Sequence, residues 1–179
     1  RSAATELAKA LGAGFFFLDV QKLVNAYRDL GESMLERPLD WRSDDLTLQN
    51  LQARVRGPSV WLLANARSLI LLTTSNRSEV AVGYATMDGD SAGGLAPLAG
   101  IDKQFLRLWL KWAESECTWG VGTISALRAT NGLEPTAELR PLGCSQTDEG
   151  DLMPYSILER IERLFVRDKL DRAAIIRIL

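Results

Sequence analysis

Four places in the chain carry residues whose types and spacing could do chemistry. The first is LLTTSNRSE (71–79), where Thr73, Thr74, Ser75 and Asn76 follow an apolar run and Glu79 follows them. If 68–74 is a strand of an open parallel sheet, these residues stand beyond its carboxyl end, where such sheets bind ligands. A helix starting just after them would aim free backbone N–H groups at the same place, which suits a phosphate. The stretch equally fits a helix cap, with Ser75 or Asn76 as N-cap and Ser78 or Glu79 completing a capping box. The second place is the glycine-rich segment 87–100, which contains Asp88-Gly89-Asp90. Its glycines permit close backbone approach or a moving lid, and Asp-x-Asp suits a hydrated magnesium ion. It reads as well as a flexible surface loop whose aspartates only make turns.

Lys103 is the third, near the start of a helix expected over 102–116. A cation there opposes the helix dipole and makes better sense if it reaches an anion such as phosphate. The plain alternative is a solvated lysine. The fourth is QARVR, where Arg54 and Arg56 lie two apart on a long helix and so face different ways. One can clamp a phosphate or carboxylate while the other pairs at the surface, and surface pairing of both is the common outcome.

Composition narrows the chemistry. The 179-residue chain has no histidine, which excludes Ser-His-Asp triads, Cys-His pairs and histidine-ligated metals within it. Cys117 and Cys144 are far apart and form no CxxC pair, so zinc sites and disulfide scaffolds are poor readings and a reducing cytoplasm suits them. A net charge of −2 offers no basic footprint for nucleic acid. No apolar stretch is long enough for a membrane span, and RSAATELAKALG lacks the apolar core of a signal peptide.

The elements that must position these residues alternate. Helices are expected over 2–11 with Ser2 as N-cap, over 20–35, and over 45–66 with Pro58 at a kink or a second helix start. FFFLDV (15–20) and SLILLTT (68–74) read as buried strands, the second apolar on both faces as in a parallel sheet. Further helices are expected over 77–85, 102–116, 120–130, 156–168 and 171–179. The segment 134–155 should be mostly loop, with QTDEGD (146–151) a solvated run ending in an N-cap. Trp109, Leu110 and Trp112 form an apolar face suited to a core or a subunit interface. This is a three-layer α/β pattern in a single domain over 1–179. Two strands are few for a stable parallel sheet, the chain opens without Met, and it ends in the apolar run AAIIRIL, which together suggest a piece of something longer.

Taken together, LLTTSNRSEVAVGYATMDGDSAGGLAPLAGIDK (71–103), PTAELRP (135–141) and QTDEGDLMPY (146–155) resemble the synthetase domain of NAD synthetases, most closely the glutamine-dependent branch. The resemblance runs from about residue 2 to the end and is weakest over 21–44. It implies an adenine-nucleotide alpha hydrolase-like (ATP-pyrophosphatase type) fold, a parallel sheet sandwiched by helices. It implies that ATP adenylates the nicotinate carboxylate of deamido-NAD, after which ammonia attacks and NAD forms. By the same resemblance Thr74, Lys103 and Thr136 match ATP-contacting positions, Glu79 the magnesium glutamate, and Arg54 a deamido-NAD contact. The spacing from Arg54 to Lys103 needs no gap against the ammonia-dependent pattern. That pattern has a lysine at the position of Met87 and an aspartate at that of Gly94, so Asp88 or Asp90 would take over part of the deamido-NAD contact. The resemblance further implies ammonia from glutamine through a separate glutaminase domain, and a homodimer. The family's SGGxDS pyrophosphate loop is not in this chain, so the isolated 179 residues are expected to be inactive. Two other readings stand beside this one: another ATP-pyrophosphatase amide former of the GMP-synthetase kind, and a non-catalytic dimerisation fragment.

Overall fold

The structure, a computed structural model, describes every residue except Trp119, Val121 and Leu142. It divides into two compact units. One comprises residues 1–17, 101–136 and 147–179, the other 18–100 and 137–146.

In the second unit, α2 (Gln21–Leu35) packs on α3 (Asp45–Ala66). Val24 is the residue that α2 buries, while Leu23, Tyr27 and Leu30 stay exposed. Glu36, at a φ of 54°, ends α2 in the left-handed conformation. The following polar loop is stapled: Arg37 makes a forked pair with Asp44 (2.7 and 2.8 Å), and Glu32 accepts from both Arg28 and the Leu39 N–H. The Arg37 guanidinium holds the Asp44 carboxyl far below the usual carboxylate range. α3 runs through Pro58 as one helix, so no second helix starts there. The bond that Pro58 cannot donate is the one to the Arg54 carbonyl, four residues back. α4 (Arg77–Ala81) is shorter than expected because Gly83, at a φ of 69°, stops it. The Tyr84 and Gly83 N–H groups return to the Glu79 and Val80 carbonyls, the Schellman arrangement.

In the first unit, α5 (Lys103–Ser115) packs against α6 (Leu127–Asn131) and α8 (Tyr155–Glu162), and α1 (Ser2–Ala10) against α6. A π-helical turn (Arg163–Arg167) extends α8, and α9 (Arg172–Ile178) follows. Ala113, Cys117, Leu127, Tyr155, Leu158 and Ile175 form its buried centre. Asp102 and Asp171 cap α5 and α9 through the N–H groups of Phe105 and Ala174. Ser2 lies inside α1 and Arg1 is the N-cap residue, one place earlier than expected. The helix expected over 120–130 begins only at Leu127; Val121 of that span lies outside the described residues. α7 (Asp148–Asp151) interrupts the segment expected to be mostly loop, within which Leu142 likewise lies outside the described residues.

The two expected strands are the main departure. Residues 15–20 have no regular structure, and Phe15, Phe16, Phe17 and Leu18 are exposed. Residues 68–74 are irregular apart from one parallel bridge between Leu72 and Leu95, and Leu69, Ile70 and Leu72 are exposed. A strand is defined by its neighbours' hydrogen bonds, and among the described residues only 93–95 supplies any. The apolar runs are present; the ladder that would turn them into a sheet is not formed. No helix is long and apolar enough to cross a membrane, among the described residues.

Candidate functional site

The bridge at Leu72 sets the geometry of the first group of candidate residues. The Thr73 N–H donates to the Leu95 carbonyl and the Gly94 N–H to the Leu71 carbonyl, both at 2.9 Å. Thr73 is buried, and its Oγ1 donates to the Asp90 carbonyl at 2.8 Å. The glycine-rich segment is therefore fastened to the end of the apolar run. Its glycines serve close approach: a Cβ on Gly93 would stand 2.7 Å from the Thr73 nitrogen, and one on Gly89 3.0 Å from Ala53. Gly57 of α3 is as tight, its Cβ position lying 2.8 Å from the Asp88 carbonyl oxygen. Residues 88–94 thus form a segment wedged between α3 and Thr73.

Thr74 stands exposed beside buried Thr73 and Ser75. Asn76, 2% exposed, is the N-cap of α4; its side chain accepts from the Glu79 N–H at 3.1 Å, while Glu79 Oε2 accepts from the Asn76 N–H at 3.2 Å. The capping-box reading of this stretch is therefore realised. It does not compete with a ligand role, because a carboxylate has lone pairs beyond the one used here. Arg54 is exposed, and its Nε donates to the Met87 carbonyl at 3.0 Å, which places it at the start of the wedged segment. Arg56 turns elsewhere and donates to the Glu138 carbonyl at 2.8 Å. Asp88 is exposed at a φ of 63°. Asp90 makes a turn, with Oδ1 accepting from the Thr86 N–H at 2.7 Å.

The second group lies in the other unit. Lys103 is the first residue of α5, and its Nζ stands 3.8 Å from Asp148 Oδ2 and 5.9 Å from the centre of the Tyr155 ring. The Tyr155 hydroxyl donates to the same Oδ2 at 2.7 Å. Thr136 is exposed, and the chain just before it is tied in by the Asp148 N–H, which donates to the Pro135 carbonyl at 3.0 Å. Asp148 is 4% exposed, which corrects the expectation that QTDEGD is a solvated run. Thr147 does cap α7, accepting from the Gly150 N–H. Gln146, in the unit of 18–100 and 137–146, is also buried; its Oε1 accepts from the N–H groups of Leu139 and Arg140. Asp148 and Tyr155 are the functional candidates that the sequence reading missed. The available signal was a tyrosine seven residues after an aspartate, too general to single out.

No group of three or more Asp, Glu, Cys or His suited to a metal occurs among the described residues. Glu79 is the half-buried carboxylate at the end of the apolar run. A single carboxylate fits a magnesium ion that takes its other ligands from phosphates and water, and does not fit an all-protein cage.

A sequence model of the NAD synthase family matches residues 1–178. The glutamine-dependent NAD(+) synthetase of Thermotoga maritima is 37% identical over 94% of this chain, and the chain spans 27% of that protein's length. The crystal structure of a glutamine-dependent NAD(+) synthetase from Cytophaga hutchinsonii matches 99% of the chain at a TM-score of 0.83 and 42% identity, with 27% of that protein covered. The corresponding enzyme of Acinetobacter baumannii, solved with adenosine diphosphate, matches 98% of the chain at a TM-score of 0.62 and 26% identity. The sequence match reaches the last residue but one, and the fold recurs at high identity in a solved relative, so the chain belongs to the NAD synthase family.

Proposed function

We propose that this chain is a part of the synthetase domain of a cytoplasmic, glutamine-dependent NAD synthetase. In that protein residues 1–179 belong to one domain of the adenine-nucleotide alpha hydrolase-like type, built on a parallel sheet between helices. The reading is carried by the family match over residues 1–178.

The reaction couples two displacements. An oxygen of the nicotinate carboxylate of deamido-NAD attacks the α-phosphorus of ATP, and pyrophosphate leaves. Ammonia, released from glutamine in a glutaminase domain, then attacks the acyl carbon. AMP departs with the bonding electron pair, the nitrogen loses a proton, and the amide of NAD remains. A carboxylate is a poor electrophile, and the AMP ester makes it a good one. Positive charge near the phosphates favours the first step, because negative charge builds on the leaving pyrophosphate.

This chain's residues take the binding roles. Thr74 and Thr136 contact ATP, and Lys103 contacts its phosphates. Arg54 holds deamido-NAD, its Nε anchored on the Met87 carbonyl. Asp88 and Asp90 contribute from the wedged segment, with Asp90 partly committed to the turn at Thr86. Glu79 would hold a magnesium ion, which when bound offsets charge on the phosphate oxygens. The exposed Phe105, Leu108 and Trp109 of α5 support a homodimer interface.

The test is amidation by the full-length protein that carries this chain. It should form NAD from deamido-NAD, ATP and either glutamine or ammonia, and leave xanthosine monophosphate unchanged. Amidation of xanthosine monophosphate in place of deamido-NAD would overturn the proposal. The 179 residues alone should form no NAD.

A further inference from the structure

Asp148 is a buried carboxylate whose burial must be compensated. Its Oδ2 accepts from the Tyr155 hydroxyl at 2.7 Å and faces the Lys103 ammonium at 3.8 Å. Its Oδ1 is buried and accepts no hydrogen bond among the described residues. A carboxylate so far removed from water depends on the Tyr155 hydroxyl and on a nearby cation to offset the lost solvation. Among the described residues Lys103 is the cation within ion-pair distance, and at 22% side-chain exposure it keeps a face to solvent while the Asp148 side chain, at 5%, does not.

Lys103 in turn needs a fixed position. Its four-carbon stem is flexible, and an unrestrained ammonium loses rotamer freedom each time it meets a ligand. Its place on the first turn of α5 is also the positive end of the helix dipole, which repels it. The Asp148 carboxylate at 3.8 Å and the Tyr155 ring at 5.9 Å both favour the ammonium at this spot. Tyr155 is 1% exposed and cannot move aside without opening the centre of its unit. Its hydroxyl fixes the carboxylate, and the carboxylate fixes the ammonium.

We propose that Asp148, clamped by Tyr155, is a positioning residue that holds the Lys103 ammonium ready for the phosphates of ATP. The inference rests on the phosphate role given to Lys103 above. Asp148 does not touch the nucleotide; it acts through the lysine.

The experiment uses the full-length protein, with kcat and KM for ATP measured for wild type, Lys103→Ala, Asp148→Asn and the double variant. Lys103→Ala should raise the KM for ATP. Asp148→Asn should raise it about tenfold, with kcat held within about twofold, as for loss of a binding contact. In the double variant Asp148→Asn should add nothing to Lys103→Ala, since its only route is gone. Tyr155→Phe keeps the ring and removes the hydroxyl, so a smaller rise in the same KM is expected even if Asp148→Asn fails to fold. A KM for ATP that rises in Lys103→Ala but is unchanged in Asp148→Asn and Tyr155→Phe overturns the positioning role alone. Additive effects in the double variant also overturn it, because a merely structural aspartate acts independently of the lysine. An unchanged KM in Lys103→Ala removes the lysine's phosphate role and this inference with it.

Discussion

Replacing Gly93 by alanine should loosen the end of the apolar run and everything fastened to it. The new Cβ would meet the Thr73 nitrogen at 2.7 Å, the Leu72 carbonyl carbon at 3.1 Å and the Thr73 Cβ at 3.1 Å. Two of these three are backbone atoms that cannot swing away, so one side must retreat by several tenths of an ångström. The bonds at risk are those closing the bridge, Thr73 N–H to Leu95 and Gly94 N–H to Leu71. Overpacking costs about 1–3 kcal/mol, and each backbone bond lost adds about 1 kcal/mol. Alanine's smaller unfolded-state entropy returns roughly 0.4–1 kcal/mol. A net loss of about 2–4 kcal/mol lowers the Tm of a chain this size by roughly 5–12 °C. Gly94→Ala is the control: its Cβ would meet only the Leu71 carbonyl oxygen, at 3.8 Å, and the substitution should be neutral or slightly stabilising. Thermal unfolding of the 179-residue chain, followed by circular dichroism, reads both. Equal Tm values for wild type and Gly93→Ala would refute the close-approach argument, and an equal drop in both variants would show that any side chain in this segment is harmful.

Glu79→Gln keeps size and the capping bond to Asn76 while removing charge, so the full-length enzyme should need more magnesium for half-maximal turnover at nearly unchanged stability; an unshifted magnesium titration removes Glu79 from the metal site. Asn76→Ala should cost about 1–2 kcal/mol, because Asn76 is 2% exposed and caps a five-residue helix; an unchanged urea midpoint would show that α4 is held otherwise. The forked Arg140 pair (2.9 and 3.0 Å) holds the Asp45 carboxyl below its ordinary 3.8. A depressed folded value stabilises above the unfolded value and is lost as pH falls through the folded one. Arg140→Ala should therefore cost about 1 kcal/mol or less near neutrality, the pair being one-third exposed, and the gap from wild type should close below pH 3.8. Parallel stability curves across that range would remove the pair from the acid response.

The parts legible in the sequence are those decided locally. α2, α3 and α5 lie where helices are expected, within a residue at either end, while Asp102 and Asp171, expected inside their helices, are the N-caps just before them. What needed distant partners was not legible. The run 68–74 is apolar enough for a strand, yet its ladder depends on neighbours that the run does not specify. Gly93 reads as freedom in the sequence and acts as a missing side chain in the structure. Asp148 sits in an acidic run that looks solvated, and its burial is decided by Tyr155 across Pro154. The capping box of Asn76 and Glu79 is legible in the sequence; the contacts of Arg54 with Met87, of Thr73 with Asp90 and of Lys103 with Asp148 come from three dimensions alone.

The parallel bridge between Leu72 and Leu95 turns the intervening chain into a closed loop. Thr74, Glu79, Asp88 and Asp90 all lie on that loop, and two amides, those of Thr73 and Gly94, close it. Loop-closure entropy returns to the segment only when both open, so the loop should come loose as one cooperative unit and not residue by residue. Hydrogen exchange makes this visible: the Thr73 and Gly94 amides should exchange at a common rate, and a nucleotide that settles within the loop should slow both together.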